Sequence, residues 1–584
     1  MRFQLTVALV QAALSASLVQ AQNSSFGDTH ISQIPEAEVV ALAQIVEDDP
    51  EDVFTLFKDW ESPEYALIYK VPLPIPPVKE PTKKIINQVT NKEIWYYELE
   101  IKPFTQAVYP NLRPATLVGY DGISPGPTLI IPRGMESIVR FINNAAAENS
   151  VHLHESYSRA HFDGWAEDIT NPGVGIHTAE NAYMGQAGAY LITDEAESVL
   201  NLSSGYGIYD IPLVLSAKQY NEDGTLFSTK GETDSLWGDL IHVNGQPWPF
   251  LNVEPRKCRL RFLNAAVSRA FALYLVNSNA VNGKLPFQVI SSDIGLLGKP
   301  VQVADLYVSP AERYEIIIDF AQYAGQRLEI RNFPKAGGIG VEDDYLHTDK
   351  VMQFVVGTTL SSPDTSTVPD VLRTVPFPTS TDNVIDHHFR FHRTNGEWRI
   401  NGVGFADAEN RVPANVLRGK VEIWELENSS DGWSHPIHVH LVDFKVIARD
   451  GDRGVMPYEA EGLKDVVWLG RGESVLVEAH YAPWDGFYMF HCHNLIHEDS
   501  DMMAAFNVTV LPDFGYNETK FIDPMEARWR AKPYVMADLR TRAGPFSDSA
   551  IEEAVQAMAA TDPYSKVDDV YKNLDQYWLS HVSK

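Results

Sequence analysis

From residue 94 onward the chain alternates apolar and polar residues over short runs rich in Ile, Val, Tyr and Phe, each cut off by Gly, Pro, Asn or Asp. A period of two puts every second side chain on one face of a strand, so such runs predict sheets with one buried face. Residues 94–101 (IWYYELEI), 128–132 (TLIIP) and 137–143 (SIVRFIN) are the clearest early cases. Many short strands between turn residues predict an all-β chain built of β-sandwiches.

One strand pattern recurs. Residues 137–143 (SIVRFIN), 258–264 (CRLRFLN) and 421–428 (VEIWELEN) each close an alternating run on Asn, and the last two follow a V/I-Asn-Gly turn at Val243 and Ile400. Recurrence of this kind predicts several copies of one sandwich. His152 and His154 follow the first copy and His435 to His440 the third, whereas AAVSRAF after the second holds no histidine. Metal chemistry is therefore expected of the outer copies, with the middle one as a spacer.

Other segments leave the strand pattern. Residues 1–21 set Arg2 before an apolar run ending in Val19-Gln20-Ala21, the form of a cleaved secretory signal. The run is broken by Gln11, Ser15 and Ser17 and falls short of the roughly 20 residues of a membrane span. Residues 22–84 read as an extension with a helical patch at 36–43 and a proline-rich connector at 71–81, whose prolines suit neither helix nor sheet interior. Domains are expected at 85–215, 216–357 and 384–540, with a Ser/Thr/Pro-rich linker at 358–383. Helical spacing takes over at 548–580, so 541–584 is expected to be a helical tail.

The 584 residues exceed one core and agree with about three to four units. A net charge of −31 repels nucleic acid and anionic membrane, so neither is expected as a partner. Sequons at Asn23, Asn201, Asn428, Asn507 and Asn517 fit N-glycosylation on a secretory route to the cell exterior. The chain has two cysteines, Cys258 and Cys492. If Cys492 is a metal thiolate, Cys258 has no partner and is expected as a buried apolar side chain.

The chemistry concentrates in residues 489–503 (MFHCHNLIHEDSDMM) and 434–440 (SHPIHVH). Two imidazoles, one thiolate and a weak axial thioether make a mononuclear copper site. His435, Cys492, His497 and Met502 supply that set. On a strand His491 and His493 face away from Cys492, where they can hold a second metal centre. Of eighteen histidines, eight are clustered: His152 and His154; His435, His438 and His440; His491, His493 and His497. A lone His-x-His pair is more often a surface or core feature than a ligand pair, but three pairs beside a His-Cys-His are not. Zinc competes for Cys and His, yet structural zinc closes on four ligands, usually with several cysteines, and has no use for Met502.

The segments HPIHVHLVDFKVI, EGLKDVVWLG and EAHYAP followed by GFYMFHCHNLIHEDSDMMAAF, with HLHESYSRAHFDGWAEDI and HVNGQPWPF upstream, are similar to the multicopper oxidases. The likeness is to their fungal bilirubin oxidase branch, with its laccase relatives, and spans about residues 85–540. It implies three cupredoxin-like (Greek-key β-sandwich) domains, a type 1 copper in the third, and a trinuclear type 2/type 3 copper cluster between the first and third. By motif, His435, Cys492, His497 and Met502 would bind the type 1 copper. His152 and His438 would hold the type 2 copper, and His154, His440, His491 and His493 the type 3 pair. The resemblance further implies a small phenolic, aromatic or tetrapyrrole donor that gives up electrons singly at the type 1 site. They would pass through Cys492 to His491 and His493, and dioxygen would be reduced to water. Oxidative phenol coupling in pigment or secondary-metabolite formation is a natural task for such chemistry. Asp163 and Glu498 match acidic residues that supply protons for the reduction; orienting neighbouring histidines is their alternative role. Trp433 and the loop 451–461 are expected to shape the donor pocket.

One part of the pattern is missing. Family members carry a Trp-Tyr-His-Asp-His run between segments matching residues 166–170 (AEDIT) and 178–183 (TAENAY), and here only 171–177 (NPGVGIH) lies between them. Roughly twenty residues are absent, including two type 3 ligands and a core strand. His161 and His177 lie nearby without the paired spacing. Three readings stay open: a sequence lacking a coding segment, an altered oxidase, and a copper-poor electron-transfer or degenerate relative.

Cys492→Ser is expected to abolish the blue copper absorption and all oxidase turnover, whereas Cys258→Ser leaves both intact. Absorption spectra and oxygen uptake of the two variants check this, and blue colour surviving in Cys492→Ser would overturn the assignment.

Overall fold

The computed structural model describes residues 57–165, 178–278, 283–430, 432–451, 453–511, 536–562 and 567–581. The signal, the helical patch at 36–43, residues 166–177 with His177, the sequons at Asn23 and Asn517, and the side chain of His161 lie outside the described residues.

Three sandwich units repeat one topology. In each, the Asn-ended strand runs parallel to an earlier strand of its sheet: Glu136–Asn143 beside Glu93–Gln106, Lys257–Asn264 beside Asp210–Lys218, and Val421–Asn428 beside Ile385–Thr394. The Asn makes the same bonds in all three. Its Oδ1 accepts the N–H two residues on, from Ala145, Ala266 and Ser430, at 2.9, 2.9 and 3.1 Å. Its Nδ2 donates to later carbonyls: Ala147 in the first unit, Arg269 and Val308 in the second, Trp433 and Gly470 in the third. An apolar residue there would orphan main-chain groups where the strand ends. These bonds also remove the sequon at Asn428, whose amide is buried and fully engaged.

Each unit places a left-handed turn earlier, at Asp121-Gly122 (φ 55° and 75°), Asn244-Gly245 (51° and 81°) and Asn401-Gly402 (52° and 81°). Asp and Asn tolerate that region and Gly is at ease in it, which is why these pairs turn strands back. After the turn, Leu129–Pro132, Phe250–Val253 and Ala414–Leu417 pair in parallel with the last strand of their units: Tyr190–Thr193, Lys350–Val356 and Met503–Thr509.

The units part company at the next position. In the third the order continues through Gly486–Cys492, His435–Val439 and Val466–Leu469, and in the second through Arg327–Asn332 and Phe271–Asn277. In the first, Tyr190–Thr193 has no further neighbour among the described residues, and 150–154 forms no strand. Ile192, on that unpaired edge, is 55% exposed.

The connector at 71–81 docks on both units it passes, through isolated bridges Pro72↔Phe250 and Val78↔Thr128. Its non-proline N–H groups pair where its prolines cannot, Leu73 with Phe250 O at 2.7 Å and Lys79 with Thr128 O at 2.8 Å. Cys258 is wholly buried in the second core, and burial pushes its thiol up to about 12. No helix among the described residues is long and apolar enough to cross a membrane.

The tail is a strap. Asp548–Ala559 meets the first unit, where Gln88 N donates to Ala559 O and Asn87 Nδ2 to Thr561 O, both at 2.8 Å. Val567–His581 lies on the third, burying Val570 and Leu574 against Ala482 and Leu511 while Trp578 Nε1 donates to Arg418 O at 3.0 Å. Gly419 (φ 78°) permits this seat, since a Cβ there would stand 2.9 Å from Leu574 Cβ. Leu574→Ala is expected to cost roughly 2–5 kcal/mol at this contact and to release the last helix first. Limited proteolysis should then cut within 567–581 before the sandwiches are touched.

Candidate metal centre

The site is built by one strand pair. His435–Val439 runs antiparallel to Gly486–Cys492 with Ile437 opposite Cys492 and His438 opposite His491. Directly opposed residues share a face of the sheet, and alternation assigns the rest. His435 and Cys492 therefore fall on one side. His438 and His491 fall on the other, joined by His440 and His493 just past the strand ends.

On the first face, Cys492 Sγ is 3.4 Å from His435 Nδ1 and 3.7 Å from His497 Nδ1, and the two nitrogens are 3.2 Å apart. His497 arrives on the short helix Leu495–Asp499. The outer ring nitrogens are occupied, His435 Nε2 by Ser430 Oγ at 2.7 Å and His497 Nε2 by Asn494 Nδ2 at 3.1 Å, so both Nδ1 atoms turn to the sulfur. Met502 is fully buried in the same core, and its carbonyl accepts Cys492 N–H at 3.1 Å. Trp398 stacks on His497 at 3.8 Å, and Trp433 meets it edge-on at 5.6 Å. Burial pushes the Cys492 thiol well up and His435 down to about 3. A thiolate at this place needs a cation in contact, and a tight N, N, S triangle beside a buried methionine is the donor set that copper takes.

On the second face, Nε2 atoms oppose one another in pairs: His152 and His438 at 3.2 Å, His440 and His491 at 3.3 Å, His154 and His493 at 3.3 Å. Burial pushes His152 down to about 3 and His438, His440 and His493 well below the usual range, so these rings are neutral. Two metal–nitrogen bonds of about 2 Å meeting near a tetrahedral angle separate their nitrogens by about 3.3 Å. The facing pairs fit metal ions between them.

Four of the six remaining ring nitrogens are anchored, as ligand histidines require, while His154 Nδ1 and His493 Nδ1 are buried without a hydrogen-bond partner. His152 Nδ1 donates to Asp163 O at 2.6 Å, His438 Nδ1 to Asp465 O at 2.8 Å, and His440 Nδ1 to Asp163 Oδ2 at 2.6 Å. His491 Nδ1 sits 3.2 Å from Glu498 Oε2. Asp163 is buried, which raises its carboxyl well above the usual range, and its Oδ1 lies 3.6 Å from His152 Nδ1. Asp163 and Glu498 thus both touch histidines of the cluster.

One expectation needs correction. The second unit is more than a spacer: its Asp293, Glu312 and Arg313 grip Lys464 and Asp465, the residues behind His438. Within the loop expected to shape the donor pocket, Tyr458 is buried in the second unit's core, its hydroxyl accepting Tyr307 N–H at 3.1 Å. Trp398 and Asp465 were missed by sequence reasoning. Asp465 stands inside the quoted EGLKDVVWLG, but nothing in its spacing marks a partner of histidine; Trp398 carries no motif at all.

Residues 104–179 and 377–511 match family models described as Multicopper oxidase. The chain is 59% identical over 533 residues to the bilirubin oxidase of Albifimbria verrucaria, covering 87% of this chain and 93% of that one. It is 31% identical to a laccase of Bacillus subtilis, covering 75% and 98%. Among solved structures, the McoA multicopper oxidase of Aquifex aeolicus aligns with TM-score 0.66 at 26% identity, covering 76% of this chain and 100% of that one. With its three cupredoxin-like sandwiches, this chain belongs to the multicopper oxidases, copper-dependent oxidoreductases that carry type 1, type 2 and type 3 copper and oxidise a donor at the expense of dioxygen.

Proposed function

We propose that His435, Cys492, His497 and Met502 hold the type 1 copper, His152 and His438 the type 2 copper, and His154, His440, His491 and His493 the type 3 pair. The observation that carries this is the sorting of these side chains to opposite faces of one strand pair, with Cys492 covalently next to both His491 and His493. The coppers, when bound, supply one-electron transfer and the reduction of dioxygen. The protein's residues keep the rings of His152, His438, His440 and His493 neutral by burial, while burial and the neighbouring Glu498 oppose one another at His491, whose ring is shifted up, and they aim the ring nitrogens. Asp163 accepts the Nδ1 proton of His440, Glu498 stands 3.2 Å from His491 Nδ1, whose proton goes to the Cys492 carbonyl, and both carboxyls lie where protons can be handed to the cluster.

The donor is an aromatic or tetrapyrrole molecule, oxidised outside the cell after secretion. Trp433, half-buried and edge-on to His497, lies near-parallel to Trp237 at 6.5 Å, and such ring faces suit a planar donor. Trp433→Ala is expected to lower kcat/KM for bilirubin and for simple phenols by about tenfold, the worth of one lost aromatic contact. Oxygen-uptake kinetics on both donor classes measure this; unchanged values would remove Trp433 from the donor site.

A second reading is favoured by the first unit's topology: among the described residues no strand lies beside Tyr190–Thr193, and the first unit brings only His152 and His154 to the cluster. The 533-residue alignment takes up 87% of 584 residues, about 508, leaving about 25 aligned positions without a counterpart here. Elemental analysis of the purified, blue protein separates the two readings. About four coppers per chain support the full oxidase; a single copper with no oxygen uptake supports the second.

A further inference from the structure

Domain 2, which offers no ligand, holds the acceptor of a ring from each of the other two domains. Asp465 lies in the third unit, and its main-chain carbonyl accepts His438 Nδ1–H at 2.8 Å. Its carboxylate faces the first unit, taking Glu155 N–H at 3.0 Å and standing 3.6 Å from His154 Nδ1. That nitrogen is buried and has no hydrogen-bond partner. At about half an ångström beyond a hydrogen bond, Asp465 is the acceptor within reach when His154 Nε2 takes a metal.

Asp465 does not hold this position alone. Arg313 of the second unit binds it as a fork, Nη1 donating to Oδ1 at 2.5 Å and Nη2 to Oδ2 at 3.0 Å. Arg313 is itself pinned: its guanidinium donates to Asp293 O and Ala311 O, both at 3.1 Å, and its N–H to Asp293 Oδ1 at 2.8 Å. Asp293 also takes the N–H groups of Asp465 and Val466 on Oδ2, both at 3.3 Å. Beside them Lys464 is buried between Asp293 and Glu312, at 2.9 Å from each. The turn that presents Glu312 and Arg313 puts Ala311 at φ 69°, a left-handed conformation that costs an alanine about 1 kcal/mol or more. A strained turn, a bidentate fork and two crossed charge pairs over-determine where one carboxylate sits.

We propose that Arg313 is a positioning residue for the copper cluster, acting through Asp465 to fix the orientation of His154 and His438. The proposal rests on the assignment of those histidines as copper ligands. A bidentate guanidinium fixes both carboxylate oxygens, which a lysine ammonium cannot do. Removing the fork lets Asp465 rotate and leaves His154 Nδ1 without an oriented acceptor, while the type 1 site, on the other face of the strand pair, is untouched.

The experiment compares full-length wild type, Arg313→Lys and Arg313→Met after copper removal and reconstitution with copper alone. Retained type 1 blue absorption shows that the third domain is folded. In Arg313→Met, cluster copper affinity is expected to fall by about 10–100-fold, with a changed type 2 electron paramagnetic resonance spectrum. Arg313→Lys is expected to recover part of the affinity but not the wild-type spectrum. If Arg313→Met lowers only the melting temperature and keeps wild-type copper affinity and spectrum, Arg313 is an interdomain tie and the inference fails. If wild type itself binds type 1 copper but shows no type 2 signal, the ligand assignment fails first and takes the inference with it.

Discussion

The molecule depends on the register of two strands. His435–Val439 and Gly486–Cys492 pair so that Ile437 faces Cys492, and because the side-chain period is two, this one alignment decides which ligands share a face. A slip by one residue would set the thiolate among the imidazoles of the cluster and send His491 to the type 1 side. Two features prevent it. Both strands are interior to their sheet, flanked by Val466–Leu469 and Met503–Thr509, so every ladder bond would have to shift together. Val439 lies opposite Phe490, both buried in the third core, and a slip would turn that core's side chains outward.

A cluster shared between domains sets a second constraint, since metal sites tolerate errors of only tenths of an ångström. Apolar contact is too plastic to fix such positions, and the protein uses buried charges at the joints. Lys464 between Asp293 and Glu312 is the clearest, wholly buried on all sides. Such pairs add little net stability, because desolvation offsets attraction, but removing one partner costs about 3–5 kcal/mol. Their effect is to make one relative placement of the second and third domains far better than its neighbours.

Much of this was legible in the sequence and some was not, for physical reasons. The type 1 set, the clustered histidines and the Asn-ended strands were readable because each is a local spacing imposed by strand geometry. The first copy's turn, Asp121-Gly122, escaped because Asp replaces Asn while serving the same left-handed conformation. The part played by the second domain was invisible: Asp293, Glu312 and Arg313 are ordinary charged residues until the fold brings Lys464 and Asp465 to them. The tail could be read as helical but not as a strap, because its partners, Asn87 and Arg418, lie 474 and 160 residues away from the groups they meet.

The first domain raises the last question: how His152 and His154 keep their places when 150–154 has no strand ladder. Its own core is small, with Tyr97, Leu99, Leu129 and Ile131 as its buried cluster. The third domain holds the residues that follow the histidine segment. Trp484 Nε1 donates to Tyr157 O at 2.8 Å, Tyr488 Oη to Ser158 O at 3.1 Å, and Arg159 lies over Trp484 at 3.7 Å. On the far side of residues 166–177, Asp499 accepts the first N–H groups of helix Thr178–Met184, from Thr178 and Ala179, at 3.0 and 3.2 Å. Main-chain groups on both sides of the histidine segment are therefore satisfied from across the domain boundary. The segments on either side of the first domain's histidines are, in their bonding, tied to the third, and six imidazoles converge although, among the described residues, no strand lies beside Tyr190–Thr193.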